Sequence, residues 1–567
     1  MNVLTARNKN LYWLIAAGIL YSLMIVAVFM SVLHGFRNLE IGFFNRPDRI
    51  LNASILQWNL DYINRTSDLG ITEAPIFFPC PHAKFYSEHL FAEMVYAWPL
   101  SLLIKSPFLL YTVVYMFGLL TIGLATFLLC RELTSSSLVG LVAGGLLLAS
   151  VAFGQLQNTS FGWAILAIFF FVRHFKRQRW SDVFGLTVCG VLTGLGSGYF
   201  GLYTPIAIFI LMMTKWAYSR SLPNGRWLLQ TGIVVILVSL ALLPTMLVYK
   251  KVHDDPGLKR AGVAHVKYTL PTIRQEEPGF VPNRRVRAMA VTIFAQTLLV
   301  TFGVLLSLRR RRMDSWAPSF LVLAILSFWM AGSGYSPYLL LRKIPVFDPL
   351  RAVFRWFFFF ALSLVTLVAI LARDWLKKPA IAGIGLIVAF CAMLYNKSEI
   401  TEYADYGPTG KRLPEAPCYE YLRGLPQGPV LSLPIPEKPW VSSTVFANRM
   451  LYQLRHRHPM AMGYSGFVPD LSRKMREYLV EEGISEGSVK KLASTGIRYL
   501  VVDPLGRDTA EPCERIRKLQ SVKVLYDNNN QMVVELPHLE VQRDLSSLYD
   551  TPARPSPHLS PSPSRDP

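Results

Sequence analysis

Charged residues are scarce in this chain. Only 17% of its 567 residues are charged and 52% are hydrophobic, whereas a soluble protein of this size carries about a quarter charged residues. The composition therefore argues against an ordinary soluble protein. The net charge of +21 does not indicate nucleic-acid binding, because no basic stretch is interleaved with aromatic residues as single-strand binding requires. Cytoplasmic anchoring charges and contacts with anionic lipid account for it more simply.

Cysteine is also scarce, and the six cysteines show no metal-binding spacing. Cys130, Cys189 and Cys391 fall in or beside apolar blocks, where a cysteine usually serves as a small buried hydrophobic residue. Cys418 and Cys513 lie in the more polar C-terminal part. They are able to form a disulfide if that part faces an oxidising compartment.

The hydrophobic residues are gathered in blocks of about 20, the length that crosses a hydrocarbon core of about 30 Å as a helix. The first block is too long for a signal-peptide core and no small-residue cleavage site follows it, so we interpret it as a retained anchor. The sequence predicts a polytopic α-helical membrane protein with about eleven transmembrane helices. The predicted spans lie near residues 11–33, 108–130, 137–153, 161–173, 182–198, 201–215, 227–248, 288–308, 315–332, 353–372 and 379–395.

The charges in the short loops predict the orientation of these spans. The apolar stretch 89–104 carries Glu93 and precedes Pro107. If this stretch does not span, the basic run 173–179 and the four arginines 309–312 fall on the same side as the N-terminus, as the positive-inside rule requires. We therefore expect 89–104 to form a helix on the outer surface. The N-terminus is then cytoplasmic and the C-terminal part is extracytoplasmic.

One short outer segment breaks this charge pattern. The stretch SPYLLLRKIPVFDPLRAVFRW carries Arg342, Lys343, Arg351 and Arg355. Cations on the outer side indicate an anionic partner. Pairing with Asp348 or with lipid headgroups is the alternative explanation.

The chain after residue 403 has a different character. Short β-rich runs begin at Pro429, Arg498, Val522 and Gln531, with helical stretches between them. Strands that alternate with helices predict a soluble α/β domain. We therefore divide the chain into a transmembrane domain, an extracytoplasmic α/β domain and a disordered tail rich in proline and serine. Their predicted ranges are 1–403 (with the first outer loop at 34–107), 404–540 and 541–567.

The C-terminal part contains no motif that indicates an enzyme site. It has no nucleotide-binding glycine fingerprint, and the GYSG run at 463–466 lacks the strand–turn–helix context of a nucleophile elbow, which favours a turn. His456 and His458 alternate as they would on a strand, which is only a weak indication of a metal site.

Acidic residues near the spans are better candidates for chemistry, because membrane proteins contain few of them there. Asp48 opens PDRILNASILQWNLDYI, whose apolar positions predict an amphipathic helix on the bilayer surface. Glu88 lies at the head of the second predicted surface helix. The structural alternative is that Asp48 caps its helix and that Glu88 pairs with His89 or Lys84.

Two carboxylates at the membrane boundary suit the transfer of a phosphate-linked sugar. A carboxylate base takes the proton of the acceptor hydroxyl while the sugar–phosphate bond breaks. The departing phosphate then needs cationic stabilisation, which Arg351 and Arg355 are placed to supply.

Several short motifs accompany these residues between about 40 and 540. They are Asp48 with LNASILQW (51–58), YSEHLF (86–91), GQLQNTSFGW from Gly154, DPLRAVFRW from Asp348, GYSGFVPD and IRYLVVD. Together they resemble a group of bacterial multispanning membrane proteins in the GT-C glycosyltransferase superfamily. The glycine that commonly precedes the first aspartate of that group is Pro47 here.

The resemblance implies an inverting enzyme in the bacterial inner membrane that uses a polyprenyl-phosphate sugar as donor. The acceptor is expected to be an envelope glycan, lipid or protein. By the resemblance, Asp48 and Glu88 are catalytic acids, whereas His89, Arg351 and Arg355 contact the substrate. Some GT-C enzymes require Mg or Mn and others do not, so the metal stays undecided.

Two functions from other classes remain open. A transporter or flippase for a lipid-linked sugar accounts equally well for the outer arginines. Many transporters contain internal repeats, however, and none is evident in this sequence. A noncatalytic scaffold, whose outer domain binds a partner, is the other alternative.

Overall fold

A computed structural model describes most of the protein. The described residues are 3–35, 47–150, 155–219, 224–260, 316–331, 337–341, 343–344, 347, 350, 352–402, 415–436, 439–505, 509–542 and 549. Contacts between residues divide the chain into two compact units. Unit one comprises Met1–Ile71, Ser87–Asp254 and Gly262–Leu413, and unit two comprises Thr72–Tyr86, Asp255–Ala261 and Pro414–Pro567.

Unit one is helical. Two short 3₁₀ turns, Leu156–Ser160 and Val353–Arg355, interrupt its α-helices. The α-helices are α1 (Val3–Gly35), α2 (Pro47–Ile63), α3 (Met94–Ser101), α4 (Pro107–Thr134), α5 (Ser137–Ser150), α6 (Phe161–Arg177), α7 (Trp180–Gly196), α8 (Gly198–Ser219), α9 (Gly225–Asp254), α10 (Ala317–Ala331), α11 (Tyr338–Leu341), α12 (Trp356–Leu371), α13 (Arg373–Leu376) and α14 (Pro379–Glu402).

Five described helices are long and apolar enough to cross a membrane: Leu11–Met30, Pro107–Thr134, Gly198–Ser219, Gly225–Asp254 and Val353–Leu371. Four shorter apolar helices accompany them, in α5, α7, α10 and α14. These helices are compatible with an integral membrane protein. The predicted span 288–308 lies outside the described residues, and the count of eleven spans stays a prediction.

Helix α4 illustrates how the sequence defines such a segment. Ser106 caps its first turn by accepting a hydrogen bond from the Leu109 amide, and Pro107 occupies the first helical position. The helix ends where Ser135 takes a left-handed conformation with φ of 57°. Between these ends the residues are almost all apolar, and α4 packs against α1, α5 and α6.

The structure confirms a helix over 47–63 but not its predicted amphipathic character. Twelve of its residues are buried, including the polar Arg49, Asn52 and Asn59. Helix α2 is therefore packed inside unit one and is not a half-exposed surface helix. Glu88 also departs from the prediction, because segment 87–93 is irregular and α3 begins only at Met94.

Unit two contains a four-stranded sheet flanked by helices. Strand β2 (Val430–Leu433) is parallel to β4 (Tyr499–Val502), β6 (Gln531–Glu535) is antiparallel to β4, and β5 (Lys523–Asn528) forms the other edge beside β6. All four strands fall on the predicted β-rich runs. The helices are α15 (Pro417–Arg423), α16 (Pro439–His456), α17 (Asp470–Glu482), α18 (Glu486–Ser494) and α19 (Ala510–Arg517).

Two distant segments of the chain also belong to unit two. The Phe78 amide donates to the Met460 carbonyl at 2.9 Å, and the Met460 amide donates to the Pro75 carbonyl at 3.0 Å. Strand β1 (Leu258–Arg260) pairs antiparallel with β3 (Phe467–Pro469). No sequence signal predicted this contribution of 72–86 and 255–261 to unit two.

The possible disulfide and the predicted disordered tail both concern the C-terminal part. Cys418 and Cys513 are separately buried and free, so the disulfide that we considered is absent. The Gln542 amide donates to the Ser494 carbonyl, and Tyr549 packs against Tyr478 with 2% of its surface exposed. The other residues of the predicted tail, 543–548 and 550–567, lie outside the described residues.

Candidate active site

Four segments of unit one converge on a cluster of polar side chains. They are the first turn of α2 with Asp48, the irregular segment 87–93, the 3₁₀ turn Leu156–Ser160 with Gln155 as its N-cap, and the 3₁₀ turn Val353–Arg355 that leads into α12. Asp48, Glu88, His89, Gln155 and Arg355 are called the site cluster below.

An ion pair lies at the centre of the site cluster. Nη1 of Arg355 lies 2.6 Å from Oε1 of Glu88, and their side chains are only 4% and 14% exposed. The same nitrogen donates to Oγ of Ser197 at 3.0 Å, and the guanidinium lies 4.1 Å from the centre of the Tyr199 ring. A buried charge is tolerated only where it is paired and hydrogen-bonded, and Glu88 and Ser197 provide such contacts for Nη1 of Arg355.

Gln155 joins this ion pair to Asp48. Its Nε2 donates to Oδ2 of Asp48, and its Oε1 lies 3.5 Å from Nη2 of Arg355. The predicted acid and the predicted cation therefore contact the two ends of one amide side chain. Gln155 belongs to the GQLQNTSFGW motif, but its role was not predictable from the sequence, because a neutral glutamine carries no charge signal.

A second layer of amides holds Gln155 in place. Nε2 of Gln157 donates to Oε1 of Gln155, and Nδ2 of Asn52 donates to Oε1 of Gln157. Asn52 and Gln157 are buried, and Asn52 lies one helical turn after Asp48 on α2. The chain of amides thus connects the helix that carries Asp48 with the turn that carries Gln155.

The His89 side chain is buried and packs against aromatic rings. Its ring stacks on Phe91 at 4.3 Å and lies 5.7 Å from the Tyr249 ring, while its backbone carbonyl accepts a hydrogen bond from Asn59. The Tyr249 hydroxyl donates to the Ser87 carbonyl at 2.9 Å. These contacts fasten segment 87–93 to α2 and α9, and His89 is 2% exposed.

The structure gives each of the two predicted acids a partner in unit one. Asp48 lies in the first turn of α2, and Gln155 donates to its carboxylate. Glu88 pairs with Arg355 and not with Lys84 or His89. Arg351, the other predicted phosphate contact, lies outside the described residues.

Glu93 is a further acid beside the site cluster. Its side chain is buried, and Oε1 accepts a hydrogen bond from the Ser160 hydroxyl. Burial, with a smaller contribution from the charge of Glu88, raises the pKa of Glu93 to about 8. In the sequence Glu93 is noticeable only as a charge in an apolar stretch.

Comparison with known proteins adds nothing to the geometry. No protein-family model matches this chain, and no curated protein matches it either. The function must therefore be argued from the site cluster itself.

The carboxylates of the site cluster already have partners within the protein. Among the described residues no group of three His, Cys, Asp or Glu side chains is placed to hold one. Oε1 of Glu88 is already paired with a guanidinium, whose charge opposes a second cation nearby. His456, at the end of α16, accepts a hydrogen bond from the His458 amide, and both rings are buried in unit two.

The arrangement suits acid–base chemistry next to an anion. Asp48 lies in the first turn of α2. Its side chain is half-buried, so a substrate is able to reach the carboxylate. Arg355 supplies a fixed positive charge on the other side of Gln155. A base and a cation held in this way are the two groups that displacement of a phosphate from a carbon centre requires.

Proposed function

We propose that this chain is a membrane glycosyltransferase. It moves a sugar from a polyprenyl-phosphate donor to an envelope glycan, lipid or protein acceptor on the outer face of the membrane. The observation that carries the proposal is the connection of Asp48 to Arg355 through Gln155, within a protein whose described helices include five that are able to span a bilayer. The GT-C resemblance of the motifs around these residues supports the same reaction class.

The cost of this cluster supports a functional role. Packing Arg355, Glu88 and Gln155 among apolar helices is unfavourable unless every group is satisfied. Oε2 of Glu88 is buried and has no hydrogen-bond partner among the residues that the structure describes. A fold that needed only stability would replace such groups by apolar side chains.

The proposed reaction is a single displacement. Asp48 accepts the proton of the acceptor hydroxyl, and the acceptor oxygen forms a bond to the anomeric carbon of the sugar. The bond between that carbon and the phosphate oxygen breaks, and the electron pair leaves with the polyprenyl phosphate. Arg355 offsets the charge that develops on the phosphate, and one displacement inverts the anomeric configuration.

Glu88 has a different role from Asp48 in this proposal. Its carboxylate is paired with Arg355 at 2.6 Å, so it orients the guanidinium and keeps it charged. Gln155 then holds the base and the cation in one geometry, and this preorganisation lowers the barrier. His89 and Arg351 stay predicted substrate contacts.

The proposal includes the predicted topology. About eleven spans place the N-terminus in the cytoplasm and residues 404–540 on the outer side of a bacterial inner membrane. The site cluster then lies toward the outer face, where lipid-linked sugars present their phosphate. Recognition of the acceptor by the C-terminal α/β domain is the corresponding role for unit two.

Release of polyprenyl phosphate tests the reaction class without knowledge of the acceptor. Membranes that contain the protein are supplied with a panel of polyprenyl-phosphate hexoses, and the freed polyprenyl phosphate is quantified. Asp48→Asn is expected to lower the rate by roughly 100-fold or more, the usual contribution of a general base.

Asp61→Asn is the matched control, because Asp61 is the other aspartate on α2 and is buried, where it accepts a hydrogen bond from Gln57. It is expected to leave the rate near that of the wild type. Equal rates for wild type, Asp48→Asn and membranes without the protein would remove the proposal.

A further inference from the structure

Glu93 lies where three segments beside the site cluster meet. It precedes α3 and closes segment 87–93, which carries Glu88. Its Oε1 accepts a hydrogen bond from Ser160, the last residue of the 3₁₀ turn that begins after Gln155. The side chain is 2% exposed.

The third segment is the corner between α7 and α8. The amides of Phe91 and Ala92 donate to the Leu195 carbonyl at 3.0 and 3.2 Å. A Cβ atom on Gly196 would collide with Oγ of Ser160, so the Ser160 side chain occupies the space that this glycine leaves. The next residue, Ser197, accepts the hydrogen bond from Arg355.

Glu93 therefore links the segments that carry Glu88, Gln155 and Ser197, which accepts a hydrogen bond from Arg355. Glu93 lies on the same segment as Glu88, and its carboxyl group accepts a hydrogen bond from Ser160 in the 3₁₀ turn that follows Gln155. Through Ser160 it adjoins the corner whose Ser197 holds Arg355. Small displacements at such a junction alter the distance between base and cation.

We propose that Glu93 is a positioning residue of the transferase site, which acts through Ser160 as a neutral carboxylic acid. This inference rests on the proposed function for its activity readout, but its protonation state is testable without that function. The carboxyl has one hydroxyl donor, and within the described ranges its Oε2 has no hydrogen-bond partner. A buried carboxylate that leaves one oxygen without a hydrogen bond is costlier than the neutral acid.

The charges around Glu93 favour the same state. Glu88 is on its own segment and carries a negative charge, while the 3₁₀ turn Leu156–Ser160 contains no titratable residue. On α3 the neighbouring group is the Tyr96 hydroxyl, with Cys189 of α7 beyond it. The cation Arg355 is paired with Glu88.

The pH dependence of transfer distinguishes positioning from simple structural support. With burial raising the pKa of Glu93 to about 8, roughly one tenth of the molecules keep the neutral acid at pH 9. Release of polyprenyl phosphate by the purified protein in lipid nanodiscs is expected to fall about tenfold from pH 7 to pH 9. Glu93→Gln keeps the shape and the acceptor oxygen without the titration, so its rate at pH 7 is retained and its alkaline decline disappears.

Two further variants complete this experiment. Glu93→Ala is expected to lower kcat at least tenfold at pH 7, with a smaller change in KM, because the base and the cation are displaced while the substrate contacts remain. Glu73→Gln is the matched control in the first outer loop, where Glu73 accepts a hydrogen bond from the His82 amide. An alkaline decline that persists in Glu93→Gln, or full activity of Glu93→Ala, would overturn the proposal.

Thermal unfolding separates this inference from the proposed function. An acid whose pKa is raised from 4.5 in the unfolded chain to about 8 in the folded protein stabilises the fold most at low pH, and this stabilisation is lost as the pH rises through that window. The Tm of the wild type is expected to fall relative to Glu93→Gln between pH 5 and pH 8.

The two failures are then distinguishable. A Tm difference that changes with pH, in a protein that releases no polyprenyl phosphate, would contradict the proposed function and retain the neutral Glu93. A Tm difference that is independent of pH would overturn the neutral acid whether or not the protein is a transferase.

Discussion

The ion pair between Arg355 and Glu88 provides the sharpest energetic prediction. Arg355→Gln removes the guanidinium and leaves the Glu88 carboxylate, whose side chain is 14% exposed, without its partner at 2.6 Å. Breaking a buried pair on one side costs about 3–5 kcal/mol, because the remaining charge stays desolvated. We expect a loss of that size in the free energy of unfolding.

Removal of the other partner should cost less. In Glu88→Gln, the guanidinium keeps Ser197 at 3.0 Å and the Tyr199 ring at 4.1 Å, so its charge remains partly compensated. We expect a loss of about 2 kcal/mol, in the range for an unsatisfied buried group. The double variant leaves two neutral amides and should recover part of the larger loss, with a coupling energy of about 2 kcal/mol or more.

Titration with SDS from mixed micelles measures these free energies for the intact protein, and the four proteins form a double-mutant cycle. Arg173→Gln with Asp182→Asn is a comparison cycle, since that ion pair is also in unit one and has a fully buried aspartate. It should show coupling without loss of sugar transfer. Losses for Arg355 and Glu88 that add to within about 0.5 kcal/mol would refute the reasoning.

Two predictions concern unit two. Burial lowers the pKa of His456 well below its usual value, so the unfolded chain takes up a proton first as the pH falls below about 6.5 and the fold loses stability. The Tm of the wild type should therefore fall relative to that of His456→Gln from pH 7.5 to pH 5, and a difference that does not change with pH would contradict this reasoning. Arg449 and Asp503 form an ion pair at 2.6 Å with 1% and 0% exposed side chains. Asp503→Asn should therefore cost about 3 kcal/mol in the free energy of unfolding, measured by SDS titration, and an unchanged value would contradict the role assigned to this pair.

Helices and strands were predictable because their signals are local. The apolar block at 108–130 has a serine cap before it and forms α4 with the expected core. In unit two the runs that begin at Pro429 and Arg498 form β2 and β4, which pair in parallel. Each of these segments carries its own periodicity and its own end signals.

Burial of α2 could not be predicted from its pattern. Ile50, Leu51, Ile55 and Trp58 would suit either a bilayer surface or a packed helix. The difference lies in the polar positions of the helix, which find partners such as Gln157 for Asn52 only in the folded chain.

The site cluster was predictable in its charged members and not in its connections. Asp48, Glu88 and Arg355 were identified because charges are rare near membrane spans. Their linkage depends on Gln155 and Ser197, which are neutral, and on pairing between residues that are 267 positions apart in the chain. Such long-range contacts leave no periodic signal in a single sequence.

The most direct test of the account compares envelope glycans and glycolipids by mass spectrometry. A deletion strain carries the wild type, Asp48→Asn, Glu88→Gln or the control Asp61→Asn, after equal expression has been verified. We predict that one sugar modification is present with the wild type and Asp61→Asn and is lost with Asp48→Asn and Glu88→Gln. Identical glycans in all four strains would contradict catalysis at these acids.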